Sequence, residues 1–272
     1  MTAADGQALL HVDGLGVAYQ RSIIGVQDVS LRVPAHGIVA LLGSNGAGKT
    51  TTLRAISGFL GLDNARVVAG SVTFKGRRIK NLSPHQTARR GIAIVPEREK
   101  IFPNLSVADN LTVVAPAGVR GAERNGLTEL VYHYFPRLAE HRRRAAGLLS
   151  GGERQMLAIG SALVCKPDLL MIDELSLGLA PIVVDELCGR LLEVCRELGL
   201  AVLVVEQSAA VALRFADHGY VLENGQVAFS GSSRELSRDV RVQESYLGAS
   251  GGGRRKYGDV VEERLARGNS HA

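Results

Sequence analysis

The chain has 272 residues, 46% hydrophobic and 22% charged, with a formal net charge of +5 at pH 7. That size and balance suit a soluble globular protein with one large α/β domain or two modest ones. No run of about 18 uninterrupted apolar residues occurs, which excludes a helix crossing a bilayer, and the modest positive charge lacks the aromatic interleaving of a nucleic-acid binder.

The opening "MTAADGQALLHVDG" lacks the basic-then-apolar layout of a secretory signal, so a cytosolic address is expected. Short β-type runs at "LLHVDGLGVAY" and "VQDVSLRV" precede the strand "GIVALL", which runs directly into a glycine loop. "TTLRAISGFL" then reads as a helix, and "GSVTFKGRRI" returns to a strand pattern with a turn at Lys75-Gly76. Ser83-Pro84 is an N-cap and first-turn pair for "HQTARR", leading to the strand "GIAIVPE". From about Ser106 to Ala146 the pattern is helical and charge-rich, as in a helical subdomain inserted between halves of a sheet.

"LLSGGERQML", from Leu148, opens another helix whose free N–H groups would form an anion site. "DLLMIDE" and "AVLVVEQ" are near-continuous apolar runs of the kind buried on both faces, and "VDELCGRLLEVCREL" between them has helical periodicity. Strand–helix–strand alternation means a parallel sheet. "YVLENGQVAF" reads as a hairpin turning at Asn224-Gly225. One domain over residues 8–248 is expected, with the helical subdomain at about 98–165. The glycine-rich remainder, 249–272, reads as a flexible tail. Cys165, Cys188 and Cys195 show no metal-ligand spacing and read as reduced core thiols, the last two on one helix face.

"GSNGAGKT", Gly43 to Thr50, matches the phosphate-loop pattern G-x-x-x-x-G-K-[ST] between an apolar strand and a helix. Its backbone, through Gly43, Ser44, Asn45, Gly46, Ala47 and Gly48, is expected to wrap phosphate, with Thr51 just behind. Lys49 places a charge near the β- and γ-phosphates, and the Thr50 hydroxyl is placed to ligate Mg²⁺. At the end of "LLMIDE", strand alternation points Asp173 and Glu174 to opposite sides, so they should have different jobs. Asp173 would hold Mg²⁺ and Glu174 would polarise the attacking water.

In this order, "GSNGAGKTT", "LLSGGERQML" and "LLMIDE" resemble the ABC ATPases, the nucleotide-binding domains of ABC transporters, over roughly residues 8 to 248. The resemblance implies a P-loop NTPase of α/β class with a mostly parallel core sheet, an N-terminal antiparallel β subdomain and an inserted helical subdomain. It implies ATP and Mg²⁺ as ligands and ATP hydrolysis as the activity. In that family two domains pair head to tail. Ser150, Gly151 and Gly152, with Glu153 beside them, would therefore bind the nucleotide held by a partner's Lys49. Tyr19 looks like the aromatic that stacks on adenine. Glu97 falls where most members carry glutamine and can still bind Mg²⁺ or its water. Gln207 falls where most carry the switch histidine; its amide donates to phosphate without taking up a proton. Leu179 replaces a usual acid, Leu175 a usual proline, and Ser44 a common proline.

"VPE…IFPNLSV.DNL", "SLGLAP", "VVEQ" and "YVLENG" look like the ATP-binding subunits of bacterial branched-chain amino-acid importers. That implies integral-membrane permease subunits, a second ATPase subunit, an extracytoplasmic solute-binding protein as an indirect partner, and a peripheral place on the cytoplasmic face of the membrane. A urea-importer subunit, a soluble ABC ATPase acting on nucleic acid or ribosomes, and a regulatory module with little hydrolysis stay open as alternatives.

Overall fold

The structure, a computed structural model, describes residues 8–20, 23–98, 100–116 and 118–244. The expected tail at 249–272, and the last residues of the expected domain, lie outside them. The described chain begins with two long strands, β1 (Leu10–Tyr19) and β2 (Ile23–Val33), paired antiparallel. β3 (Gly37–Gly43) follows and ends on the first residue of the glycine loop, and α1 (Lys49–Ser57) leaves that loop. The helix is shorter than its sequence pattern suggests. Gly58 closes it with a left-handed C-cap, and Phe59–Asp63 continues as a 3-10 turn.

β4 (Ala65–Phe74) pairs with β1 and folds back through Lys75 and Gly76 onto the two-residue β5 (Arg77–Arg78), which completes an antiparallel subdomain. α2 (Pro84–Ala88) starts at Ser83 with a reciprocal capping box to Gln86, and leads into β6 (Ile92–Val95). Four helices come next: α3 (Val107–Val113), α4 (Gly121–Tyr134), α5 (Pro136–Glu140) and α6 (Gly151–Val164). Then β7 (Leu169–Asp173), α7 (Pro181–Leu198), β8 (Ala201–Glu206), β9 (His218–Glu223) and β10 (Gln226–Ser232) close the domain.

The strands form one ten-stranded sheet in the order β5-β4-β1-β2-β10-β9-β3-β8-β7-β6. From β9 to β6 every neighbouring pair is parallel. β3, β6, β7 and β8 are apolar up to the acids Asp173 and Glu206 that end β7 and β8, because both faces are covered. Ile38, Ala40, Leu42, Leu170, Ile172, Val202 and Val204 face the helical subdomain and α7. The intervening Val39, Leu41, Leu169, Met171, Leu203 and Val205 face α1 and the antiparallel strands. Cys188 and Cys195 are buried on α7, but Cys165 is exposed. It is the C-cap residue of α6, beyond that helix's core-facing stripe. Among the described residues no helix is long and apolar enough to cross a membrane.

The antiparallel and parallel halves meet at a narrow seam, a single paired position between Gln226 and Asp28. The hairpin turn next to it reinforces the joint. Asn224 and Gly225 take φ of 49° and 77°, as a tight two-residue turn between right-twisted strands requires. The Gly225 carbonyl accepts from Gln27 N at 2.9 Å and Asp28 N at 3.1 Å, while its own N–H donates to Ala47 O at 3.0 Å. One residue thus ties β2, the hairpin and the glycine loop together. A Cβ at Gly225 would lie 3.0 Å from Gln27 N and 3.1 Å from Val26 Cα. Gly225→Ala combines this crowding with a left-handed backbone, and is expected to lower unfolding stability by about 1–3 kcal/mol. Chemical denaturation should show a lower midpoint at unchanged slope.

Candidate functional site

Strand register sets the site. Leu42 lies beside Glu206 and Val205 beside Asp173, so β3, β8 and β7 end at one level. The chain segments that leave them, starting at Gly43, Gln207 and Glu174, emerge side by side at the carboxyl edge of the parallel sheet. Ligands bind at that edge in open α/β sheets.

The loop from Gly43 runs to the start of α1, where Gly48 is the N-cap and supplies no side-chain bond. The first N–H groups of the helix therefore stay free for an anion. Ser44, Asn45 and Gly46 are exposed, whereas Ala47, Gly48 and Lys49 are buried. Lys49 Nζ donates to Gly43 O at 2.8 Å and to Ser44 O at 3.2 Å, and lies 3.7 Å from Glu174 Oε1. The Tyr19 hydroxyl is 2.9 Å from Thr51 Oγ1, and its ring lies against Gly25, where a Cβ would approach Cε2 to 2.6 Å. That ring is held at the loop by contacts on two sides.

Asp173 points to the α1 face of the sheet, 4% exposed. Burial pushes its carboxyl above the ordinary carboxylate range, Glu174 and Glu97 push the same way, and Thr50 and Lys49 oppose them. Its Oδ1 is buried with no protein hydrogen-bond partner. Thr50, Asp173 and Glu97 line one cavity of about 420 Å³, so the three residues expected to meet a metal are brought together. A hydroxyl and two carboxylates, one of them with an unsatisfied buried oxygen, form a hard-oxygen donor set that suits Mg²⁺. Among the described residues no cluster of three His, Cys, Asp or Glu can hold a metal alone. Phosphate and water must supply the remaining ligands, as is usual for this ion.

Asp173 and Glu174 do not point to opposite sides. The strand ends at Asp173, and Glu174 takes a left-handed φ of 55°. This turns its carboxylate back toward Lys49, so both acids face the loop. Leu175 is fully buried in the helical-side core. Gln207 is exposed, one residue beyond β8.

Sequence patterning missed Glu206, an acid 1% exposed at the end of an apolar strand. Its Oε1 accepts from Ser176 N at 2.7 Å and its Oε2 from Ser176 Oγ at 2.9 Å. The one available signal was a carboxylate in a run otherwise buried throughout.

The second helix start is α6. Ser150 is its N-cap: Oγ accepts from Glu153 N at 3.3 Å, while Ser150 N donates to Glu153 Oε2 at 2.7 Å. Burial raises the Glu153 carboxyl, but Ser150, His141 and Arg144 together hold it below its usual range. The close neighbours of this turn include His141, Leu179 and Val183, from outside the phosphate loop. A Cβ at Gly152 would sit 2.4 Å from Val183 Cγ1, so this glycine lets α6 approach α7 whatever else it binds. A further groove of about 400 Å³ runs between α2, edge strand β6 and α6, lined by apolar residues such as Pro84, Ile94, Ala158 and Ala162, with Lys100 at its polar end. Lys100 hydrogen-bonds Gln155 of α6, which ties the segment after Glu97 to that helix.

Residues 26–176 match the family described as ABC transporter. The chain is 39% identical to the high-affinity branched-chain amino acid transport ATP-binding protein BraG of Pseudomonas aeruginosa, over 85% of this chain and 96% of that protein. It is 36% identical to the lipopolysaccharide export system ATP-binding protein LptB of Escherichia coli K12, over 89% of this chain and 98% of that protein. Among solved structures, an ATP-binding cassette of an ABC transporter in its ADP conformation superposes with a TM-score of 0.76 at 25% identity, covering 89% of this chain and 99% of the other.

Gly152→Ala is expected to cost about 1–2 kcal/mol through the Val183 clash. Adding Val183→Ala should restore the melting temperature, which identifies packing as the cause. Asp173 gives a pH signature. The folded chain holds its proton more tightly than the unfolded chain, so its contribution to stability is largest below the ordinary carboxylate range and declines as pH rises through the raised folded value. Asp173→Asn should therefore raise the melting temperature at neutral pH in magnesium-free buffer, with the gain vanishing in acid.

Proposed function

Because this chain belongs to the ABC transporter family, as an ATP-hydrolysing ATP-binding subunit that acts with a membrane permease, we propose that it powers import of branched-chain or related amino acids. It works as half of a head-to-tail pair with a second ATPase subunit, identical or related, at the cytoplasmic face of the membrane. The observation that carries the chemical part is the convergence of Lys49, Glu174, Asp173, Thr50 and Glu97 at one sheet edge.

In this reading residues 43–51 cradle the ATP phosphates, and the Lys49 ammonium turns from the loop carbonyls to the β- and γ-phosphates. Thr50, Asp173 and Glu97 hold Mg²⁺ directly or through its waters; the ion neutralises phosphate charge. Glu174 accepts hydrogen-bonding from the attacking water and aims it at the γ-phosphate. Gln207 donates an amide hydrogen bond to that phosphate without exchanging a proton. Tyr19 stacks on adenine. Ser150, Gly151, Gly152 and Glu153 close over the nucleotide of the partner subunit, which accounts for a second helix start whose neighbours lie outside its own phosphate loop. The nucleotide-binding domain spans 8–248, with its helical subdomain at about 98–165.

The apolar groove beside β6, next to the segment from Glu97 to Pro103, receives the permease. ATP binding closes the pair and hydrolysis opens it. An extracytoplasmic solute-binding protein delivers the solute to the permease and never touches this chain. Likeness to a branched-chain amino-acid transport protein, together with Glu97 and Gln207, supports the amino-acid solute. Nearly equal likeness to a lipopolysaccharide-export protein supports a second reading, in which the same engine drives lipid export.

Reconstitution with its cognate permease discriminates the two. ATPase activity stimulated by amino-acid-loaded binding protein supports import, and stimulation by lipopolysaccharide overturns it. Glu174→Gln should still pair on ATP in size-exclusion chromatography while turnover falls on the order of 100-fold or more. Retained turnover would remove Glu174 from its role.

A further inference from the structure

Glu206 has no place in the chemistry above, yet it is the most deeply buried acid near the site, 1% exposed and with no ion pair among the described residues. A carboxylate so placed is costly unless its lone pairs are engaged. Here both oxygens are used, and both by one residue. Ser176 N and Ser176 Oγ donate to the two oxygens separately, which fixes the backbone and the side chain of Ser176 together. A third bond, from Glu174 N to Val205 O at 2.9 Å, completes a strap between the end of β8 and the turn after β7. The backbone N–H of Gln207 also helps steady the Glu206 charge.

The turn being strapped is the one that carries Glu174. That residue holds a left-handed φ of 55°, a conformation that costs a β-carbon-bearing residue roughly 1–2 kcal/mol and persists only where its surroundings over-determine it. Alternation along β8 directs Glu206 to the face covered by α7 and the helical subdomain, while the Glu174 carboxylate reaches Lys49 on the other side. The turn crosses the edge of the sheet, with the acid of the site at one end and its anchor at the other.

We propose that Glu206 is a positioning residue for ATP hydrolysis, its carboxylate clamping Ser176 so that Glu174 stays aimed at the attacking water. This rests on Glu174 acting as proposed above. Small errors in such aim are expensive: a displacement of about 1 Å can cost on the order of 100-fold.

The test is steady-state ATPase kinetics of the whole chain with its permease, with nucleotide affinity and melting temperature measured on the same samples. Glu206→Ala should lower kcat by roughly 10- to 100-fold with KM and ATP affinity changed less than about threefold. Glu206→Gln should recover most of kcat, since its amide oxygen accepts from Ser176 N and its NH₂ donates to Ser176 Oγ. Ser176→Ala should show a smaller loss of the same kind, and the double variant should be no worse than Glu206→Ala. Additive losses, no recovery by glutamine, or a fall in kcat matched by loss of ATP affinity would overturn the clamp. If Glu206→Ala does not fold, Ser176→Ala decides, and unchanged kcat in it overturns the proposal. Glu174→Gln run alongside separates the two levels. Its loss of turnover with no effect in the clamp variants rejects the clamp alone, whereas its retained turnover rejects the assignment of Glu174.

Discussion

Hydrogen bonding between β3, β8 and β7 puts Leu42 level with Glu206, and Val205 level with Asp173. In parallel strands the period is two residues, so a slip of one would exchange the faces of every side chain along the strand. Both faces here are packed by separate cores, and neither tolerates that exchange. The carboxyl ends of these strands are therefore held at a common height by hydrophobic packing far from any phosphate. The glycine loop, the acid turn and Gln207 inherit their proximity from it. The geometry at this edge is a by-product of core registration.

Two buried acids at the edge show how the same cost is met in different ways. Burial raises both Asp173 and Glu206, on opposite faces of the sheet. Glu206 has its oxygens engaged by Ser176 and is finished as a structural group. Asp173 keeps one buried oxygen with no protein partner, and its residue lines a cavity with Thr50 and Glu97. An unsatisfied buried acceptor is tolerated in folded proteins chiefly where a ligand completes it. The contrast separates an acid with an oxygen left open from an acid whose oxygens are both engaged.

Much of the molecule was legible in the residue order. Gly43–Thr50 lies between strand and helix as its motif requires, Lys75-Gly76 and Asn224-Gly225 turn as their types demand, and Ser83 caps its helix. Those features are local, encoded within a few neighbouring residues. What failed was either conformational detail or long-range contact. Alternation could not anticipate that Glu174 leaves the strand in a left-handed conformation, because that choice depends on bonds to β8. The tie between Glu206 and Ser176 joins residues thirty positions apart. The hold of Gly225 on Ala47 spans most of the domain. No pattern of apolar spacing contains such pairings. The helix after the loop ended early for a local reason that was in plain view, the glycine at position 58.

Gly225 has a mechanical consequence. Its carbonyl is gripped by β2 and its amide grips the loop at Ala47, so the two cannot drift apart without breaking the same short linkage. The antiparallel strands are thus ballast for the glycine loop, tied to it from outside. Substitutions that loosen β2 can thereby soften the loop's grip on a nucleotide while leaving every loop residue unchanged.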